Sequence, residues 1–496
     1  MKTFTTTAHR EYIVGDTDSR LFGSFVEHMG SVVYNGIYQP GHPNANEKGY
    51  RMDVLRLLQG LGLGVLRYPG GNYTSAYRWE DTVGKDRPAA LNYAWREMEP
   101  NTFGLHEFFD WATNFNAPPM MTLNLATRGA LEAADLLQYC NFPSGTRFSD
   151  MRRQNGAEKP FDVKLWCLGN EIDGDWQMGH MPPKEYGRLA DVTAQLLRQL
   201  DPTLELACVG SSNTTLDNYP EWNRKVLMQC YDRVDYITLH KYLSKKDIDT
   251  HSYLCMPHQV DGMIETVVNV CDYVGACKRS KHRVNISFDE WNVGPVEPDG
   301  NIGEWETGPA RDCMSFTFED TLVFAGMFLS LLRHANRVKI ACQSLIVNDI
   351  GLVLADEQGA YPNGSYAIFK RLSDHARGTV LLTRADGAMV ETTAFGAQPA
   401  LDTLVVRNDA YTCRAFVINR SEEDVLWTLD LGDLCGKAAQ TAAQSIRVPL
   451  ETRNSHEDPQ AIAFTADTAP EWREGKATGV VRAYSITEWS FTEVAQ

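Results

Sequence analysis

No apolar run in this chain is long enough to cross a membrane; the longest, such as Ala325 to Leu332, fall far short of the roughly 20 residues a spanning helix needs. Positive charge is also in short supply. Lys plus Arg number 47 against 64 Asp plus Glu, and the formal charge of -17 repels phosphate backbones and anionic lipid heads. Nucleic acid and membrane surfaces are therefore not expected partners, whereas a neutral sugar is unaffected. No Cys-x-x-Cys pair occurs, and Cys271 and Cys277 are too far apart for a zinc knuckle, so no structural metal is expected. The eleven cysteines are odd in number and lie mostly inside apolar runs, as reduced core thiols do. Met1 to Thr7, leading into His9-Arg10-Glu11, lacks the apolar core of a secretory signal, and the expected location is the cytoplasm. There is no internal repeat and no low-complexity tract.

What is present is ordinary globular material, 43% hydrophobic and 22% charged, over 496 residues, enough for two or three domains or one large barrel with a companion. Short apolar runs bounded by turn residues predict strands at Leu21 to Val26, Gly64 to Tyr68, Pro119 to Leu125, Val163 to Leu168, Leu204 to Val209, Val234 to Leu239, Val284 to Phe288 and Val338 to Val347. Helical periodicity lies between most of them, as in Tyr50 to Gly60, Glu185 to Leu200 and Val260 to Val274. Eight strands alternating with helices predict an α/β fold, a (β/α)8 TIM barrel over residues 18–372, with a doubly wound open sheet as the other arrangement of that order. After about Leu372 the helical periodicity mostly disappears. Short runs at Thr379 to Thr383, Ala388 to Ala394, Leu404 to Arg407, Ala415 to Asn419, Val425 to Leu431, Ser445 to Leu450 and Val480 to Phe491 predict a C-terminal antiparallel β-sandwich of residues 373–496, joined by 1–17.

Residues at the carboxyl ends of barrel strands share one mouth. Here the ends read Phe25-Val26-Glu27-His28, Leu66-Arg67-Tyr68-Pro69-Gly70-Gly71-Asn72, Leu168-Gly169-Asn170-Glu171, Leu239-His240-Lys241-Tyr242 and Phe288-Asp289-Glu290-Trp291. A carboxylate closing an apolar strand is costly to bury without a use or a partner, which singles out Glu171 and Glu290. Cleaving a glycosidic bond needs a proton for the leaving oxygen and a negative charge at the anomeric carbon, and two carboxylates across one mouth supply both. Asn170 is placed to bond the sugar hydroxyl beside the reacting carbon.

In order and wording, these segments resemble the glycoside hydrolase family 51 α-L-arabinofuranosidases. The resemblance runs through LFGSFVEHMG at Leu21, GHPNANEKGYRMDVL at Gly41, LRYPGGNYTSAYRWED at Leu66, WCLGNEIDGDWQMGH at Trp166, VDYITLHKY at Val234 and FDEWNVG at Phe288. It implies a TIM barrel with a β-sandwich and a retaining, exo-acting enzyme that removes terminal arabinofuranosyl groups from arabinan or arabinoxylan oligosaccharides. It implies Glu171 as acid/base and Glu290 as nucleophile, with Glu27, Arg67, Asn72, Trp95, Asn170, His240 and Tyr242 around the sugar, no cofactor, and a homo-oligomer, commonly a hexamer. Under that resemblance Arg67 and His240 orient or tune a carboxylate, Tyr242 donates to Glu290, and Trp95 flanks the sugar.

Two positions depart from the family pattern. Gly294 stands where a tryptophan is usual, which removes a wall of the cleft. Leu345 stands where a sugar-binding glutamine is usual, with a glutamine only at 343, so either the register shifts or that bond is absent. These departures keep a related barrel glycosidase of other specificity, a β-xylosidase or endoglucanase, as the alternative activity; a non-catalytic carbohydrate-binding protein is disfavoured because both acids are present. Other features have plainer readings. Gly60-Leu61-Gly62-Leu63-Gly64 precedes a strand instead of following one, as a helix stop would. Asp173, Asp175 and His180 match no standard ligand spacing. Trp79, Trp176 and Trp291 serve packing as readily as ligand binding.

Overall fold

The computed structural model describes residues 1–294, 304–309, 313–432, 434–435 and 439–493. Of the stretch expected to form the sandwich, 433, 436–438 and 494–496 lie outside the described residues. Eight strands close into a parallel barrel: β1 (Gly23–Phe25), β2 (Leu66–Tyr68), β3 (Pro119–Thr122), β4 (Leu165–Cys167), β5 (Glu205–Cys208), β6 (Tyr236–Leu243), β7 (Asn285–Val293) and β8 (Val338–Gln343). Closure is made by β8 on β1, where Cys342 pairs with Gly23, and this excludes the open, doubly wound sheet.

The barrel is filled because successive side chains point to opposite faces. Phe25, Met120, Leu165, Cys167, Ala207, Tyr236, Ile340 and Cys342 form one interior cluster. Their neighbours Leu66, Met121, Trp166, Leu206, Ile237, Phe288 and Ala341 belong to a second cluster shared with the surrounding helices. Both faces are apolar, as a layer with side chains inside and helices outside requires.

The C-terminal segment forms a ten-stranded, mostly antiparallel sheet. Lys2–Asp16 lies within it, antiparallel to Thr379–Gly387 and parallel to Val425–Asp430, the one parallel pairing of that sheet among the described residues. The sheet folds over its own core, where the Trp427 and Trp489 rings meet with centroids 4.3 Å apart. Val480 to Phe491 is two strands and not one: Lys476–Val481 pairs with Val425–Asp430, and Ser485–Glu493 pairs with Thr412–Asn419. The break falls at Tyr484, whose φ of 43° lies in the left-handed region that β-strands do not use. Met389–Thr392 leaves the sheet for a hairpin with Gly396–Pro399.

The long apolar run belongs to the helix Phe318–Arg333, opened by a capping box in which Thr317 and Asp320 serve each other's backbone N–H. It is buried almost all round because β7 lies on one side and the C-terminal sheet on another. At its end Arg333 bonds Asp402 of that sheet at 2.6 Å and Asp261 at 3.1 Å. Nine of the eleven cysteines are buried and no disulfide forms among the described residues. No described helix is long and apolar enough to cross a membrane.

Candidate active site

Two local irregularities turn adjacent side chains into the same mouth, which a regular strand cannot do. Beyond β4, Gly169 adopts φ of 109° and Glu171 φ of 45°. A left-handed backbone is strained for a residue other than glycine, and here it brings both Asn170 and Glu171 to the mouth. On β7 an extra residue is accommodated between Ser287 and Glu290 against β6, and between Phe288 and Trp291 against β8. This bulge lets Asp289 and Glu290 both face inward while Trp291 stacks outside on Phe324.

Seven of the nine residues singled out in the sequence meet in one network, and the other two, Glu27 and Trp95, bond each other beside it. Arg67 donates from Nη1 to Glu290 Oε1 at 2.7 Å and from Nη2 to Asn170 Oδ1 at 2.6 Å. Asn170 Nδ2 donates to Asn72 Oδ1 at 3.2 Å. His240 Nδ1 lies 2.9 Å from Glu171 Oε1 and 3.5 Å from Glu290 Oε2. The Tyr242 hydroxyl donates to Glu290 Oε2 at 2.9 Å and lies 2.8 Å from Ser344 Oγ. Glu27 Oε1 accepts from the Tyr73 backbone N–H at 2.9 Å and from Trp95 Nε1 at 3.0 Å. Gly71 is required by close approach: a Cβ there would lie 2.9 Å from both Glu27 Oε2 and Glu290 Oε1.

Glu171, His240 and Glu290 each offer one atom, and these atoms lie within 4.8 Å of one another. That spacing is close enough for an ion, but Arg67 already pairs with Glu290, and a protonated His240 has no lone pair to offer a metal. Burial pushes the Glu290 carboxyl above its usual range, and Glu171 adds to this, while His240 and Arg67 pull it back towards ionisation. Burial and the Glu290 charge raise Glu27 to about 7, against the bonds from Tyr73 and Trp95. Burial disfavours the His240 cation, but Glu290, Asp289 and Glu171 outweigh it and hold the imidazole protonated well above its ordinary range.

Two partners of this network were not legible as site residues. Asp289 sits beneath it, with Oδ2 3.2 Å from Arg67 Nε and Oδ1 3.3 Å from His240 Nε2. Trp176 is half-exposed at the rim and donates from Nε1 to Glu171 Oε2 at 2.7 Å. By contrast Asp173 and His180 point to separate partners, the Ser212 N–H at 2.8 Å and the Ile172 carbonyl at 2.9 Å. Gln343 is wholly buried, with Oε1 accepting from Ser24 Oγ at 3.1 Å, and Leu345 joins the interior cluster beside Trp95. Neither presents a polar group to the mouth, so the glutamine contact is absent and no register shift restores it. At Gly294 an added Cβ would meet only ordinary contacts, 3.5 Å from Ser244 Oγ and Tyr242 Cβ.

Comparison with known proteins bears on this geometry. Residues 57–261 match the family model for the α-L-arabinofuranosidase 1 domain, and 289–485 match that for the α-L-arabinofuranosidase C-terminal domain. An intracellular exo-α-(1→5)-L-arabinofuranosidase of Streptomyces lividans is 39% identical, with 98% of this chain and 75% of that protein covered. An exo-α-(1→6)-L-arabinofuranosidase of Bifidobacterium longum is 41% identical, covering 83% of this chain and 82% of that one. The solved structure of a family 51 α-L-arabinofuranosidase from Bifidobacterium longum superimposes with a TM-score of 0.93 at 32% identity, covering 99% of this chain and all of that one.

Proposed function

Because the chain belongs to the family 51 α-L-arabinofuranosidases, we propose that it is a retaining, exo-acting enzyme that releases terminal α-L-arabinofuranosyl groups from arabinan or arabinoxylan oligosaccharides. The observation that carries the retaining reading is the approach of Glu171 and Glu290 oxygens to within 4.8 Å. Retaining glycosidases hold their carboxyl groups at about 5 to 5.5 Å, whereas inverting ones leave about 6.5 to 9.5 Å for a water.

In the first step Glu171 gives its proton to the glycosidic oxygen as the bond from the anomeric carbon to that oxygen breaks, and Glu290 forms an ester to the same carbon. In the second, Glu171 takes a proton from water, the water oxygen bonds the anomeric carbon, and the ester bond returns its electron pair to Glu290. Arg67 and His240 favour the ionised Glu290 that attack needs, and Tyr242 fixes its second oxygen. Asn170, tied to Arg67 and Asn72, is held where a sugar hydroxyl next to the reacting carbon can bond it. Glu27 and Asn72 serve further hydroxyls, and the Trp95 face borders the ring.

We assign this chemistry to residues 18–372, with 1–17 and 373–496 as the companion unit. The S. lividans relative is named as intracellular, which supports action inside the cell on imported oligosaccharides. Assembly as a homo-oligomer, a hexamer, is proposed from the family resemblance. The alternative of a β-xylosidase or endoglucanase draws on the missing side chain at Gly294 and the apolar Leu345. A panel of nitrophenyl glycosides with NMR detection of the first-formed anomer tests the reading. Turnover of the α-L-arabinofuranoside with retained configuration is expected, and an inverted product, or turnover only of another glycoside, rejects it.

A further inference from the structure

Asp289 is fully buried and lies behind the network, on the side away from the opening. Its two oxygens face Arg67 Nε at 3.2 Å and His240 Nε2 at 3.3 Å, and the Cys167 thiol donates to Oδ2 at 3.4 Å. Among the described residues neither Arg67 Nε nor His240 Nε2 completes a hydrogen bond, and the ion-pair approach to Asp289 is the contact each of these buried nitrogens makes. The opposite ends of the same two side chains make the contacts to Glu290 and Glu171.

Both nitrogens of His240 therefore face carboxylates: Asp289 at Nε2, and Glu171 and Glu290 at Nδ1. A neutral imidazole has one nitrogen without a proton, and in either tautomer that lone pair would face an ionised carboxylate, Asp289 at Nε2 or Glu290 at Nδ1. Only the doubly protonated ring has a donor on each side. Facing it are Glu171 from the end of β4, Asp289 and Glu290 from β7, and Arg67 from β2 as the opposing cation, with Tyr242, Cys167 and Asp173 beyond.

We propose that Asp289 is the positioning residue of this site, holding Arg67 and His240 as a fixed pair of cations so that the Nδ1–H of a doubly protonated His240 serves whichever of Glu171 and Glu290 carries the negative charge. The inference rests on the double displacement described above. At the start of that cycle Glu171 holds a proton and Glu290 is ionised; in the covalent intermediate Glu290 is an ester and Glu171 is ionised. The charge facing His240 Nδ1 is one carboxylate throughout and only its location changes. A single N–H set 2.9 Å from one oxygen and 3.5 Å from the other can follow that shift without gaining or losing a proton. A cation that titrated during the cycle would be right for one half-reaction only, and Asp289 is what keeps it from titrating.

The test reads protonation and turnover separately. In protein labelled with nitrogen-15 histidine, and with the His240 signal assigned by its loss in His240→Gln, the unmutated enzyme should show a doubly protonated His240 from neutral pH to about pH 8. In Asp289→Asn the ring should titrate through the neutral range, and kcat should fall roughly 100-fold with KM within about threefold. A neutral His240 in the unmutated enzyme near pH 7 overturns the proposal even if Asp289→Asn does not fold. It is equally overturned if a folded Asp289→Asn keeps kcat within about threefold, or loses activity while the His240 signal stays unchanged. The anomer measurement tests the double displacement and the histidine spectrum tests this inference, so failure of one is distinguishable from failure of the other.

Discussion

Glu290 and Glu488 are both deeply buried carboxylates on strands, and what surrounds them is opposite. Glu488, on Ser485–Glu493, is met by two guanidiniums and an imidazole: Arg414 Nη1 at 2.5 Å, Arg371 Nη1 at 3.1 Å and His375 Nδ1 at 2.8 Å. Burial pushes its carboxyl up, but His375, Arg414 and Arg371 outweigh burial and hold it below the usual range. Glu290 has Arg67 and His240 beside it, but Glu171 and Glu27 also face it, and its carboxyl is pushed above the usual range. A buried acid with cations in excess is a tie. A buried acid that must share its cations with other acids is poised to change charge, and the structure accepts that cost where chemistry needs it.

The largest effect that can break this comparison is at Glu290, the proposed nucleophile. Glu290→Ala is expected to lower kcat by roughly 10⁵-fold with the fold intact, checked by steady-state kinetics beside circular dichroism. Activity within tenfold of the parent would remove Glu290 from that role. Glu171→Ala should lose about 10²- to 10⁴-fold on substrates with poor leaving groups and much less on an activated aryl glycoside, whose departure needs no proton. Azide should restore turnover by attacking the ester that Glu171 no longer helps water to open, giving an arabinosyl azide detectable by mass spectrometry. The absence of that product, with the aryl glycoside lost as badly as the rest, would move the acid/base elsewhere.

How much of this was legible in the sequence depended on the range of the cause. The eight barrel strands were legible because each is a local apolar run between turns. The pairing of Asp289 with Glu290 was not, because alternation sends one of two neighbours outward unless a bulge intervenes, and that bulge is defined against β6 and β8, far away in sequence. Trp176 was indistinguishable from a packing tryptophan, since only the left-handed turn at Glu171 brings its indole N–H to the acid. Val480 to Phe491 read as one strand because the two strands are separated by only three residues, Arg482 to Tyr484. The fate of Gln343 and Leu345 depended on whether Ser24, over three hundred residues away, would accept the glutamine as a partner.

The smallest effect on catalysis should come from the other half of the comparison. Arg371 and His375 lie on the helix Gly364–His375 and Arg414 on Thr412–Asn419, so Glu488 ties a helix that follows the barrel to the C-terminal sheet. Glu488→Gln removes the charge and keeps the shape. It should leave kcat and KM within about twofold while lowering stability by about 1 to 3 kcal/mol near neutral pH, read by urea unfolding. The sign with pH follows from the lowered carboxyl: the ionised form stabilises the fold above the unfolded value of about 4.3, and that contribution is lost as pH falls through the still lower folded value. The gap between parent and variant should therefore be full near neutrality and close in acid. A variant that kept its stability but lost activity would mean that surplus cations do not mark a purely structural carboxylate, and that the contrast with Glu290 lies in position alone.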